Sequence, residues 1–405
     1  MNSTSLKIRL IIMNFLQYAV WGSWLISAGS YFRGIGFTPV QVGSIFAAQG
    51  IASLFMPALL GIVADRWIPA QKVLGLAHLI SAGLLIVTAF QTTYETIYPF
   101  MLMAVMFFMP TIALSNTVAY NALSKAGLDT AEHFPPIRVF GTIGFICAMW
   151  AVDLLHLGTS NAQFFLSAGL GILLGIYAFT LPSCDINRGS SQSFVEKLGL
   201  KAFTLFKQKK MAIFFIFSML LGFSLQITNA FADGYIRSFG AIAEFQGTFG
   251  VEHSVMLISL SQVSETLCIL LIPFCLRRFG IKKVMLISMF AWVLRFGLLG
   301  LGDPGSGVWL FILSMIVYGV AFDFFNISGS LYVDQETDPS IRASAQGVFM
   351  IMTNGFGAFF GSYIAGAVVE HFAWPNSWYI FAGYALVVAV LFALVFKYKH
   401  NPQEA

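Results

Sequence analysis

Apolar runs long enough to cross a bilayer recur twelve times along this chain, over residues 8–30, 40–64, 73–91, 97–122, 136–157, 161–181, 211–237, 253–276, 284–302, 307–333, 342–370 and 376–397. In lipid, backbone N–H and C=O groups must find partners within the chain, which leaves helices or closed barrels, and a spanning helix needs about 20 mostly apolar residues. Unbroken runs of that length, rather than ten-residue alternating ones, select helices. A chain that is 58% hydrophobic and 10% charged, with a mean hydropathy of +0.81, is no soluble domain. An all-α membrane protein of twelve spans is therefore expected. The first run follows Lys7 and Arg9 as a secretory signal would, but it continues for a full span past Trp21 and Trp24, so an uncleaved helix is expected.

The charged residues set topology. The net charge of +4 does not point to nucleic acid, because the basic residues sit at span ends. All but four of the 22 Lys and Arg fall on the side that holds both termini; Arg33 and Arg237 lie opposite, and Arg138 and Arg295 lie within spans. Short cytoplasmic loops are enriched in Lys and Arg, so both termini are expected in the cytoplasm. Six basic residues, Arg188, Lys197, Lys201, Lys207, Lys209 and Lys210, lie in the one long polar segment, which divides the chain into bundles over 1–181 and 211–405 with a linker over 182–210. Within that linker, residues 194–206 have the pattern of an amphipathic helix lying on the membrane surface. Cys147, Cys184, Cys268 and Cys275 show no metal-ligand spacing and read as buried side chains.

The halves echo each other. Gly61-Ile-Val-Ala-Asp65-Arg66 leads to Lys72 after the second span, and Arg277-Arg278-Phe279-Gly280 leads to Lys283 after the eighth, at the same Arg-to-Lys spacing. Two six-helix bundles related by an axis along the membrane normal follow. The Gly-x-x-x-Asp-Arg loop resembles the cytoplasmic signature of the major facilitator superfamily, although Ile68, Pro69, Ala70 and Gln71 replace its following glycine and basic pair. Asp65 and Arg66 are the candidate switch loop, able to pair with neighbouring helix ends.

An ionisable side chain at bilayer depth costs roughly 2.5 to 3.5 kcal/mol on insertion scales, so Asp323, near the middle of residues 314–330, asks for a function. Polar and aromatic side chains cluster on four spans at helical spacing: Arg138, Thr142 and Phe145; Gln226 and Asn229; Gln262 and Glu265; Tyr318 and Phe322, with Asn326 below. A single amide in a span is usually interhelical glue. Four helices presenting paired polar groups instead suit a ligand: amides offer donors and acceptors, and aromatics offer stacking faces, so a neutral, polar, ring-shaped molecule is implied. A sugar fits; Phe145, Tyr318 and Phe322 tilt the choice towards an aromatic base with a hydroxylated part. Asp323 and Glu265 are the proton candidates, with Arg138 as a mobile counter-charge; a permanent ion pair locking helices is the structural alternative. Arg295, without a polar partner on its own helix face, is expected to reach a neighbouring helix in a structural role. No Walker loop, Gly-x-Ser-x-Gly, His-Glu-x-x-His or Cys-x-x-Cys appears, so neither an enzyme nor a cofactor is expected.

At these residues the chain resembles the nucleoside:proton symporter family of the major facilitator superfamily. The resemblance is carried by FPPIRVFGTIGFI (134–146), KMAIFFIFSMLLG (210–222), LQITN (225–229), SETL within SQVSETLCILLIPF (261–274), YGVAFDFFNISGS (318–330), IRASAQG with MTNGFG (341–357), Trp21-Gly22-Ser23-Trp24 and MPALLGIVADRW (56–67). It implies inward transport of nucleosides with protons across the bacterial inner membrane, by a protein working as a monomer in the bilayer. It places Arg138, Thr142, Phe145, Gln226, Asn229, Gln262, Glu265, Tyr318 and Phe322 around the nucleoside and makes Asp323 important for transport. A sugar or glycoside:proton symporter of the same fold, and a non-transporting receptor of transporter fold, are the alternatives.

Overall fold

Every long apolar run becomes helix, because in lipid only a helix satisfies its own backbone. The computed structural model describes residues 3–186, 200–338 and 341–398, and among these no strand occurs. The helices are α1 (Ser3–Gly22), α2 (Ala28–Gly34), α3 (Pro39–Arg66), α4 (Ala70–Ala89), α5 (Tyr94–Lys125), α6 (Thr130–Leu154), α7 (Ala162–Ala178), α8 (Lys209–Ser238), α9 (Ser254–Phe279), α10 (Ile281–Leu301), α11 (Val308–Glu336), α12 (Arg342–Met350), α13 (Ala358–Phe372) and α14 (Asn376–Val395). Ten helices among the described residues are long and apolar enough to span, counting α12, a π-helical stretch Ile351–Gly357 and α13 as one. The sixth span is α7, of 17 residues. The first is α1 and α2 together.

Three boundaries differ from the expected runs. The first span is broken over residues 23–27, where Trp24 N–H bonds the carbonyl three residues back. The carbonyl of Val20, displaced from its helical partner by the break, accepts the Ser167 hydroxyl at 2.8 Å, and Ser27 Oγ donates to Gln163 Oε1 at 2.8 Å, so α7 supplies what the turn gives up. α6 begins at Thr130 rather than at its prolines. Pro135 and Pro136 sit in its second turn, where the carbonyls they leave without an N–H lie near the polar end of the helix. The linker run forms a 3-10 helix, Leu200–Lys207, whose Phe206 ring packs on Phe215 of α8 (5.2 Å between centroids); residues 194–199 of the expected amphipathic helix lie outside the described residues.

The chain divides into two compact units, Met1–Phe37 with Ile51–Gln192, and Thr38–Gly50 with Ser193–Ala405. In the first, α6 packs closely on α1: a methyl group at Gly144 would collide with the Phe15 carbonyl, so only glycine permits this approach. In the second, Gly222 of α8 meets the Thr353 carbonyl of the π-helical stretch in the same way. The opening of α3 also belongs to the second unit, where Val40 N–H donates to Glu370 Oε2 at 3.0 Å.

Candidate functional site

In the first unit, the α6–α1 crossing carries Arg138, Thr142 and Phe145 on one helix face, with Phe145 buried and the other two half-buried. The guanidinium carbon of Arg138 lies 3.9 Å from the centroid of the Tyr18 ring, a cation–π contact that holds the charge without an acid. Phe145 meets Trp21 edge-on (6.2 Å, 87°), and Trp21 continues to Phe108 (5.8 Å). The Trp21 indole Nε1 is buried and has no hydrogen-bond partner. Behind the rings, Gln17 Nε2 donates to Thr111 Oγ1 at 2.7 Å, and Gln17 Oε1 accepts from His78 Nε2 at 2.8 Å. This chain fixes the rear of the aromatic cluster, although His78 Nδ1 is buried without a partner among the described residues. Asp65 and Arg66 end α3, ahead of the turn into α4.

In the second unit, Gln226 and Asn229 share a face of α8, with Asn229 Nδ2 donating to Gln226 Oε1 at 3.5 Å. That bond is long enough to yield to a better acceptor. Gln262 and Glu265 lie half-buried on α9. On α11 the rings of Tyr318 and Phe322 stack with centroids 5.7 Å apart and planes within 4°. Trp292 of α10 meets Tyr318 edge-on at 6.0 Å. Asp323 is 5% exposed, and its Oδ2 has no hydrogen-bond partner. Glu265 lies close enough to act on Asp323 through its charge, and Glu265, Asp323 and Arg295 all act on Tyr318.

Arg295 does reach its neighbours. Only 1% exposed, it donates from Nη1 to Ser314 O of α11 at 2.7 Å and to Ser261 Oγ of α9 at 3.4 Å, and its guanidinium carbon lies 4.6 Å from the Tyr318 ring centroid. Asn326 donates to the Phe322 carbonyl of its own helix at 2.9 Å, which makes it a backbone partner. It also lines a cavity of about 20 Å³ with Phe322, Trp292, Thr353 and Asn354, room for a single water.

In the first unit Arg138, Thr142 and Phe145 share one face of α6; in the second, Asn229 meets Gln226 on α8, Tyr318 meets Phe322 on α11, and Glu265 of α9 lies near Tyr318 and Asp323. The sequence reading passed over Tyr18, whose contact with Arg138 no spacing announces, and the polar chain of Gln17 and His78, which the test of polar residues inside spans would have found. It also passed over Asp233. This carboxylate, 1% exposed on α8, accepts from Arg237 Nε at 3.1 and 3.2 Å and from the Ser254 hydroxyl, and so ties α8 to α9.

A family model described as nucleoside H+ symporter matches residues 4–401. Xanthosine permease of Escherichia coli (strain K12) is 51% identical over 99% of this chain and 98% of its own length. Nucleoside permease NupG of the same strain is 49% identical over 98% and 97%. The crystal structure of nucleoside transporter NupG, at 49% identity, covers 98% of this chain and 100% of that one with a TM-score of 0.92, and the structure of its D323A mutant reaches 0.95 over 97% and 100%. The xylose transporter XylE from E. coli, at 14% identity over 96% and 98%, shares the fold with a TM-score of 0.66. The architecture is that of the major facilitator transporters, and the relatives matched are transporters rather than enzymes.

Proposed function

The chain belongs to the nucleoside H+ symporter family, and on that premise we propose that it imports nucleosides together with protons across the bacterial inner membrane by alternating access, as a monomer with both termini in the cytoplasm. The observation that carries the coupling is Asp323. A carboxyl 5% exposed, with an unpartnered oxygen and no basic side chain within 4 Å among the described residues, holds its charge poorly in an apolar bundle and is suited to bind and release a proton. Glu265, near enough to act on it through its charge, is the second acid of the pair.

The remaining roles follow from chemistry. Gln226, Asn229, Gln262 and Glu265 offer the donors and acceptors that a base edge and a ribose require. Tyr318 and Phe322, already stacked, present a face to the base, and Phe145 offers a second. Arg138 and Thr142 add a charged donor and a hydroxyl from the first unit. Asp65 and Arg66 serve as the switch loop. The division into bundles over 1–181 and 211–405, joined by 182–210, is the working division of labour.

The test is uptake of labelled uridine into proteoliposomes under an imposed inward proton gradient. Accumulation should vanish when the gradient is collapsed; uptake indifferent to it would remove the coupling. Unlabelled nucleosides should compete and sugars should not. Sugars competing equally well would move the site to glycosides, and binding without flux would make the protein a receptor.

A further inference from the structure

A cavity of about 540 Å³ opens among Lys210, Lys282, Glu336, Lys397 and Tyr398, all in the second unit, and no residue proposed for the nucleoside lines it. Its walls come from four places far apart in sequence: the start of α8, the start of α10, the end of α11 and the chain just past α14. Two of the walls are fixed. Lys282 Nζ donates to the Ala393 carbonyl at 3.1 Å, near the end of α14, and the Tyr398 hydroxyl donates to Gln335 Oε1 at 2.9 Å. Lys210 and Lys397 are differently placed, for among the described residues neither has a carboxylate within 4 Å.

Three ammonium groups thus surround one void with a single carboxylate to balance them. Two helices also begin there, α8 at Lys209 and α10 at Ile281, and the free N–H groups of a helix start add positive potential. Lys210 and Lys397 are exposed, as loop anchors are, but anchoring alone does not explain why three lysines from three distant parts of the chain line one cavity. Such a lining suits an anion with several acceptor oxygens, that is, a phosphate group.

The surroundings indicate where the phosphate comes from. Directly ahead of Lys397 in the chain, α14 turns outward Leu391 (45% exposed), Leu394 (69%) and Val395 (45%), an apolar track beside the basic cavity. On the positive-inside reading this end lies at the cytoplasmic leaflet, where anionic lipids concentrate and where basic pockets between helices hold their headgroups. We propose that this cavity binds a phosphate-bearing anion, supplied in the membrane by an anionic phospholipid whose headgroup joins the ends of α8, α10, α11 and α14. Such a ligand stabilises the folded second unit by mass action and leaves the nucleoside residues untouched.

The experiment is thermal unfolding of the purified full chain in detergent, titrated separately with phosphatidylglycerol, phosphatidylcholine and inorganic phosphate at constant ionic strength. Phosphatidylglycerol should raise the midpoint saturably and phosphatidylcholine should not. Lys210→Gln and Lys397→Gln should each shift half-saturation roughly fivefold upward, as expected for removing one basic residue at an anionic surface. Lys207→Gln with Lys283→Gln, which removes two nearby charges that do not line the cavity, should leave the shift in place. Native mass spectrometry of retained lipid gives a second readout if a variant is too unstable to titrate. A lysine-dependent shift with phosphate alone would support the site and assign it to the free anion. No shift with either ligand, or a phosphatidylglycerol shift that survives Lys210→Gln with Lys397→Gln, overturns the proposal.

Discussion

In the first unit, the charged side chain proposed for the nucleoside, Arg138, is half-buried and rests 3.9 Å from the Tyr18 ring centroid. In the second, Glu265 is half-buried too, but two charged groups are sunk far deeper: Asp323 is 5% exposed and Arg295 is 1%. A guanidinium against an aromatic face at a half-wet position keeps its charge cheaply and can trade the ring for a ligand acceptor. A carboxyl sealed in apolar surroundings has no such exchange available, and its cheapest response to a change in its neighbours is to take up or lose a proton. On the proposed roles, the contrast makes recognition and coupling separable: Arg138 of the first unit would offer a fixed charge to the ligand, while Asp323 of the second would be the group whose charge changes.

The comparison breaks if a variant on one side produces the phenotype of the other. The largest effect is expected from Asp323→Asn, which keeps the shape and removes the titratable proton. Gradient-driven accumulation in proteoliposomes should fall at least roughly tenfold, with nucleoside affinity in a thermal-shift titration nearly unchanged. An equal fall in both would make Asp323 a ligand or structural residue. Next comes Arg138→Gln, which should weaken nucleoside binding by roughly tenfold to a hundredfold, the worth of a hydrogen bond from a charged donor, while the dependence of uptake on the proton gradient keeps its form. A changed pH profile in this variant would merge the two roles. Asn229→Ala should weaken binding about tenfold, since it also removes the bond that Asn229 Nδ2 donates to Gln226 Oε1, and leave the unfolding midpoint close to that of the parent. Unchanged affinity would remove α8 from the site.

These assignments began with side chains that are expensive in lipid, which is why the sequence showed them. Arg138, Glu265, Arg295 and Asp323 stand out against apolar runs whatever the fold does around them, and the runs themselves are long because the bilayer demands it. What stayed hidden depends on partners distant in sequence. The turn over residues 23–27 reads as continuous span, because WGSWLIS is apolar and its rescue by Ser167 and Gln163 is supplied by another helix. The π-helical stretch Ile351–Gly357 is similar: Asn354 and the glycines around it hint at irregularity, but only the close approach of Gly222 to Thr353 shows where it is needed. Tyr18 was unreadable for a simpler reason. An aromatic in an apolar run looks like core until a cation is found on its face.

The smallest effect tests whether the deep cation of the second unit belongs to its recognition side. Arg295 holds α10 to α9 and α11 through Ser261 and the Ser314 carbonyl, and it lies against Tyr318, one of the two rings proposed to stack on the base. Arg295→Met fills the space without the charge and orphans no carboxylate among the described residues, so its cost in stability should be that of two lost hydrogen bonds rather than of a broken ion pair. The loss should also appear in the ring: without the guanidinium, Tyr318 is less firmly held, and nucleoside affinity should fall about fivefold, less than the full worth of a desolvated cation–π contact because the effect on the ligand is indirect. Arg295→Lys should restore only part of this, because an ammonium lacks the planar face that lies along the ring and cannot make the same directed bonds. If Arg295→Met instead abolishes gradient-driven accumulation at normal affinity, the cation acts on Asp323 and Glu265 through Tyr318, and the second unit uses a fixed positive charge to set which of its two acids carries the proton.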